Sequence, residues 1–187
     1  MDYNQTVQAG QLLAEIDPTD YQVALDQAQA EWLARFGALA ANEQKSLLGR
    51  YRLLDVLLQK LGEIRARVDE ALTARSPLQR YDGVEKDLRE RWEDELAAAV
   101  EAEYRRQRAE LLLLVQWWLR DIWVHTLAMG GDLLNFPQMA GADAVAKKIT
   151  PRQALDNLHT LEQTQRLLHT NVQEALALEV GLLKLHL

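Results

Sequence analysis

From Val84 to Met129 the chain contains neither proline nor glycine. Strands usually stop within about ten residues, so no sheet architecture accommodates so long an unbroken segment. A helix does, and at 1.5 Å per residue it would reach roughly 65 Å. Its apolar positions are Leu88, Trp92, Leu96, Val100 and Tyr104, then Leu111, Val115, Trp118, Ile122 and Trp123. They recur mainly at three- and four-residue spacing, the helical period. The first half is laced with Glu85/Arg89, Asp87/Arg91 and Glu101/Arg105 at i,i+4, each pair contributing only about 0.2–0.5 kcal/mol. The second half, Leu111 to Leu127, is apolar on most sides. Gln116, Arg120, Asp121 and His125 interrupt it too often for a membrane span. It predicts a helix lying inside a bundle, stopped at Gly130-Gly131.

The rest of the chain repeats the helical theme. Asp17 as N-cap and Pro18 at the first helical position start a helix with the face Tyr21, Leu25, Ala28, Trp32, Phe36 and Leu39. After a softer patch at Asn42 to Lys45, a second face runs through Leu47, Tyr51, Leu54, Leu58, Leu61, Ile64, Val68 and Leu72. Ser76-Pro77 ends that helix, and Asp82-Gly83 supplies a turn. Beyond Asn135-Phe136-Pro137 a short helix is expected near Ala140 to Lys148. Thr150-Pro151-Arg152-Gln153 has the form of a capping box and leads into a face of Leu155, Leu158, Leu161 and Leu168. Asn171 and Glu174 repeat the cap arrangement before a last helix carrying Leu176, Val180 and Leu183. Residues 1–17 are the only credible extended region, with a turn at Gly10 between Val7 and Leu12. The expected fold is all-α, a helical bundle with a short N-terminal extended segment.

Hydrophobic residues make up 48% and charged residues 26% of the 187 positions, the composition of a chain that folds around a core. Cysteine is absent, which excludes disulfides, thiolate metal sites and cysteine nucleophiles. The start, MDYNQTVQAG, has no basic and apolar signal-peptide pattern, so a cytoplasmic location is expected. Charge divides the chain. Asp2, Glu15, Asp17, Asp20, Asp26 and Glu31 precede the first basic residue, Arg35, after which the 21 Lys and Arg meet a nearly equal number of acids. The expected organisation is a leader, residues 1–30, and a helical domain, residues 31–187.

Chemistry-bearing motifs are missing. Neither a GxxxxGK[ST] nor a GxGxxG run occurs. His125, His159, His169 and His186 have no ligand-like spacing, and the carboxylates of the 85–103 stretch alternate with Arg in the manner of a solvated face. No catalytic residue, cofactor or metal is expected. The cluster Arg105-Arg106-Gln107-Arg108 stands among Glu101, Glu103 and Glu110, so direct nucleic-acid contact is not expected, and neither is membrane contact. One motif does invite a role. Trp117, Trp118 and Trp123 cannot share one helix face. Either Trp118 and a neighbour fill the core while Arg120 and Asp121 make local polar contacts, or an outward Trp anchors a partner. Trp117, Trp118, Arg120, Asp121 and Trp123 are the candidate interface.

Two resemblances lie on two portions of the chain. Leu48-Gly49-Arg50-Tyr51-Arg52-Leu53-Leu54-Asp55, Ala102-Glu103-Tyr104-Arg105-Arg106-Gln107-Arg108, Trp118-Leu119-Arg120-Asp121 with Gly130-Gly131, and Asn171 with the stretch Val172 to Leu183 together resemble a bacterial collar domain. It is the C-terminal collar of the delta-prime subunit of the DNA polymerase III clamp loader, matched over residues 31–187. That resemblance implies a non-catalytic oligomerisation domain in DNA replication, packed against the gamma/tau and delta subunits. Separately, Val7-Gln8-Ala9-Gly10-Gln11-Leu12-Leu13-Ala14-Glu15-Ile16-Asp17, with Asp20-Tyr21 and Ala24 to Ala30, is similar to the first lipoyl half-motif of periplasmic adaptor (membrane fusion) proteins and the start of their α-hairpin. That one implies part of an efflux or secretion adaptor, with an antiparallel helix pair across residues 18–74.

Overall fold

A proline at the first helical position has no N–H to leave unsatisfied, and α1 (Pro18–Asn42) begins on one. In the computed structural model the described residues are 18–42, 46–81, 85–128, 131–137 and 141–187. They form six α-helices and no strand. The expected extended segment at 1–17 and the Asp17 cap lie outside them. Ser46 starts α2 (Leu47–Arg75), its hydroxyl accepting from the Gly49 N–H at 3.1 Å. Ser76 ends it in extended backbone ahead of Pro77, and its hydroxyl accepts from the Leu78 N–H to open the tight turn Pro77–Gln79. The proline- and glycine-free segment becomes α3 (Lys86–Thr126), 41 residues and roughly 60 Å long. A second tight turn, Gly131–Leu133, then leads to α4 (Ala142–Ala146), α5 (Pro151–Leu167) and α6 (Glu174–Lys184). The capping box of α5 is complete. Gln153 N–H donates to Thr150 Oγ1 at 3.2 Å, and Thr150 N–H donates to Gln153 Oε1 at 3.0 Å.

The C-terminal half of α3 is the axis of the bundle. Leu111, Leu112, Val115, Trp118, Leu119 and Ile122 are all buried, and α1, α2, α4 and α5 pack on this helix while α6 closes on α2 and α5. Each such side chain stabilises the fold by about 1.5–3 kcal/mol relative to its exposed state. Trp32 stacks on Phe36 with centroids 5.3 Å apart, and Phe36 meets the edge of Trp118 at 5.8 Å, fastening α1 to α3. The chain reverses between α1 and α2. Glu31, Trp32 and Arg35 lie across from Val56, Gln59, Lys60 and Glu63, so these helices form an antiparallel hairpin seated in a larger bundle.

Two glycines permit close backbone approach. Gly141 has φ 106°, and a Cβ there would stand 2.6 Å from the Gly37 carbonyl oxygen. A Cβ on Gly181 would stand 2.3 Å from Thr164 Oγ1, where α5 and α6 touch.

The period was correct while some faces were turned. On α2 the buried stripe is Leu53, Leu54, Leu57, Leu61, Ile64 and Val68, whereas Leu47 and Tyr51 are exposed. On α6 Ala177, Leu178, Gly181 and Leu182 are buried, and Leu176 and Val180 face outward. The cause is shared: leucines stand on more than one side of both helices at these ends, so spacing alone allows either face. Leu88 and Leu155 are exposed as well. Gln173, not Asn171, is the N-cap of α6, without a side-chain cap bond.

Between α2 and the N-terminal half of α3 the packing thins. Ile64, Val68 and Val100 are buried, and Leu72, Trp92 and Leu96 only partly so. This pair forms an arm whose flanks are lined by residues of α2 and α3, with Leu78 of the Pro77–Gln79 turn added on one side.

Candidate interaction surface

The tryptophan cluster separates into core and surface. Trp118 is wholly buried and Trp123 half-buried against the same core. Asp121 is 1% exposed. Its Oδ1 accepts from the Asn135 N–H at 3.0 Å and from Asn135 Nδ2 at 2.9 Å, and its Oδ2 accepts from the Phe136 N–H at 2.8 Å. Asp121 is thus the anchor of the loop after α3, where an unmade bond would leave a buried carboxylate uncompensated. Arg120 reaches back over that loop and donates to the Leu133 carbonyl at 2.7 Å. Trp117 differs. It is 41% exposed, its ring is 6.5 Å from Phe136, and Leu113, one turn earlier on α3, is exposed as well. Of the five candidate residues, Trp117 presents its apolar area outward. Trp118 and Asp121 serve the chain's own interior.

A polar network that sequence reasoning missed ties α3 to α6. Glu174, in the first turn of α6, accepts from Tyr104 Oη at 2.5 Å and from Arg108 Nη1 at 2.5 Å. Arg108 Nη2 donates to the Leu168 carbonyl at 3.1 Å. Arg65 covers the Tyr104 ring at 4.8 Å and pairs with Glu101 at 3.1 Å. Burial first, and then the bond to the Glu174 carboxylate, hold the Tyr104 hydroxyl far above the usual phenol range. A signal was present: Arg108 falls on the buried stripe between Tyr104 and Leu111, and a cation there needs an anion from another helix.

The neighbouring arginines are engaged as well. Arg106 donates to Glu103 at 2.7 Å and pairs with Glu110. The Arg106 and Gln107 side chains hold the Glu103 carboxyl down at about 2. Arg105 pairs with Glu101 at 2.8 Å, as its spacing suggests, but Arg89 turns to Glu93 at 3.0 Å instead of to Glu85. Among the described residues no group of His, Asp and Glu could hold a metal ion, and no helix is long and apolar enough to cross a membrane.

The arm carries two open grooves. One, about 650 Å³, runs between Gly62, Ala66 and Asp69 of α2 and Glu93, Ala97 and Glu101 of α3. The other, about 730 Å³, lies on the opposite flank between Arg67, Ala71 and Arg75 and Ala99, Ala102 and Arg106.

Part of the chain has relatives. Over 71 residues, 36% of the chain, it is 49% identical to multidrug resistance protein MdtA of Pantoea ananatis (strain AJ13355), of which 17% is covered. MdtA of Erwinia amylovora (strain ATCC 49946 / CCPPB 0273 / Ea273 / 27-3) is 46% identical over a span of the same length, also 17% of that protein. MdtA of Pectobacterium carotovorum subsp. carotovorum (strain PC1) is 39% identical over 79 residues, 42% of the chain and 19% of the relative. The chain therefore spans less than a fifth of the length of these relatives. No family model matches, and no solved structure matches significantly.

These relatives agree with the adaptor resemblance and lend no support to the other one. The expectation of a role in DNA replication within DNA polymerase III, and of clamp-loader gamma/tau and delta subunits as partners, is corrected: the similarity runs to multidrug resistance proteins. The physical reason is visible in the motifs that suggested the collar. Arg50 donates to the Leu183 carbonyl, Tyr104 and Arg108 bind Glu174, and Trp118 and Asp121 are interior. Leu, Arg and Glu at such spacings are what a helical bundle needs to hold itself together, whichever proteins it belongs to.

Proposed function

We propose that this chain is a non-catalytic helical assembly module of a multidrug-efflux apparatus, working by packing helix surfaces against other proteins. The observation that carries the proposal is the 49% identity over 71 residues to multidrug resistance protein MdtA. The antiparallel α1–α2 pair supports it, being the kind of hairpin that the adaptor resemblance implies, here seated on α3 and α6. Support also comes from the side-chain chemistry. The charged groups nearest the core, Arg108, Glu174 and Asp121, are bound to one another or to backbone, while Trp117 keeps apolar area outside. On this proposal the chain works at the cell envelope, not in the cytoplasm, and contributes contacts, not chemistry.

The test is expression of the full chain in a bacterium that carries MdtA and in the same strain lacking it. Co-purification of the chain with MdtA, and a change in the minimum inhibitory concentration of exported drugs confined to the MdtA-bearing strain, are the expected results. Absence of both effects would overturn the proposal.

A further inference from the structure

We infer that the α2–α3 arm is a self-association surface, on which the basic flank of one copy of this chain docks against the acidic flank of a second copy. The two grooves run along the same pair of helices and have similar size, about 650 and 730 Å³. Small residues line both beside larger apolar ones, Gly62, Ala66 and Ala97 with Leu96 and Val100 on one flank and Ala71, Ala99 and Ala102 with Val68 and Leu72 on the other. A Cβ added at Gly62 would meet nothing within 4 Å. Small residues on both helices let another helix approach closely, within the usual 8–10 Å interaxial range.

Charge decides the occupant. On the first flank Arg65 is taken up by Glu101, which leaves Asp69 without an ion pair among the described residues, next to Glu93, whose partner is the exposed Arg89. On the second flank Glu103 is taken up by Arg106, which leaves Arg67 and Arg75 without ion pairs among the described residues. Among the residues that line it, the first flank is acidic, with Asp69, Glu93 and Glu101 against Arg65, and the second is basic, with Arg67, Arg75 and Arg106 against Glu103, so a single chain carries both halves of a complementary surface. Packing like flank on like flank would set equal charges together at a cost in free energy. The favoured contact is consequently heterologous, and it continues as a series instead of stopping at a symmetric pair. This inference stands on the arm alone and does not require the efflux role.

The experiment is sedimentation velocity of the full chain across a concentration series at low and high salt. Three proteins are compared: wild type, Arg67→Glu with Arg75→Glu (both flanks acidic), and Asp69→Lys with Glu93→Lys (both flanks basic). Wild type should show a weight-average mass that rises past the dimer with concentration and falls with salt. Each variant alone should stay monomeric with an unchanged helical circular dichroism spectrum, and the equimolar mixture of the two should associate again. A wild-type chain that is monomeric throughout, a mass that levels off at the dimer, or variants that associate as wild type does, would each overturn the inference.

Discussion

Replacing Glu174 tests how the bundle is closed. Its carboxylate is the anion for Arg108, whose side chain is only 8% exposed, and the acceptor for Tyr104, while Glu174 itself is 30% exposed. Breaking a buried pair from one side costs about 3–5 kcal/mol, because the remaining charge stays buried. Water can reach the Glu174 end, which places Glu174→Ala near the bottom of that range. Loss of the Tyr104 acceptor, about 1 kcal/mol, and of a negative charge at the start of α6, about 0.3–1 kcal/mol, overlap with the first effect and do not add in full. The expected destabilisation is about 3 kcal/mol, read from urea unfolding followed by circular dichroism, or a fall in Tm of roughly 6–12 °C for a chain of this size. If the cost arises from the stranded guanidinium, Arg108→Met combined with Glu174→Leu should recover most of the loss. Glu174→Ala within about 0.5 kcal/mol of wild type, or a double variant no better than the single one, would refute the reasoning.

Gly181→Ala drives a Cβ into Thr164 Oγ1 and should cost about 1–3 kcal/mol; adding Thr164→Ala removes that oxygen and should recover part of it in a double-mutant cycle. Trp117→Ala should cost only about 1 kcal/mol in stability yet weaken co-purification with MdtA, whereas Trp118→Ala should cost about 3–5 kcal/mol. The Glu103 carboxyl is lowered from 4.5 to about 2 by Arg106 and Gln107, so its contribution is present above pH 4.5 and is lost as pH falls from there toward 2. Because the group is partly exposed, that acid-limb loss should be small and should shrink further with added salt, as acid titration of thermal stability at two ionic strengths would record.

How much of this was legible beforehand depended on which interaction fixed each feature. Local rules were readable. Pro18, the Ser76-Pro77 break and the Thr150–Gln153 capping box act within a few residues, and α1, α2 and α5 begin or end where they say. The α3 helix followed from the absence of breakers. Facing was less readable wherever a helix is apolar on several sides. Leu47, Tyr51, Leu176 and Val180 have the right period yet lie outside, because the choice among faces is made by tertiary neighbours, Arg50 with the Leu183 carbonyl and Tyr51 with Glu179 among them. The candidate interface was legible only as a cluster. That Trp117 points outward while Trp118 meets Phe36 depends on where α1 crosses α3. Glu174 was read as a helix cap, since its partners Tyr104 and Arg108 are remote in sequence.

Helix α5 packs on the C-terminal half of α3, and α6 closes on α5 and α2, to make one cooperative core, with the α2–α3 arm standing outside it. Native-state hydrogen exchange of the full chain, read residue by residue, tests this most directly. Amides around Leu112, Trp118, Leu161 and Leu178 should open together with the largest free energy in the chain, and those of residues 69–75 and 86–97 should open well below it. Exchange of α5 and α6 at the rate of an unfolded peptide, or an arm as protected as the core, would contradict the account.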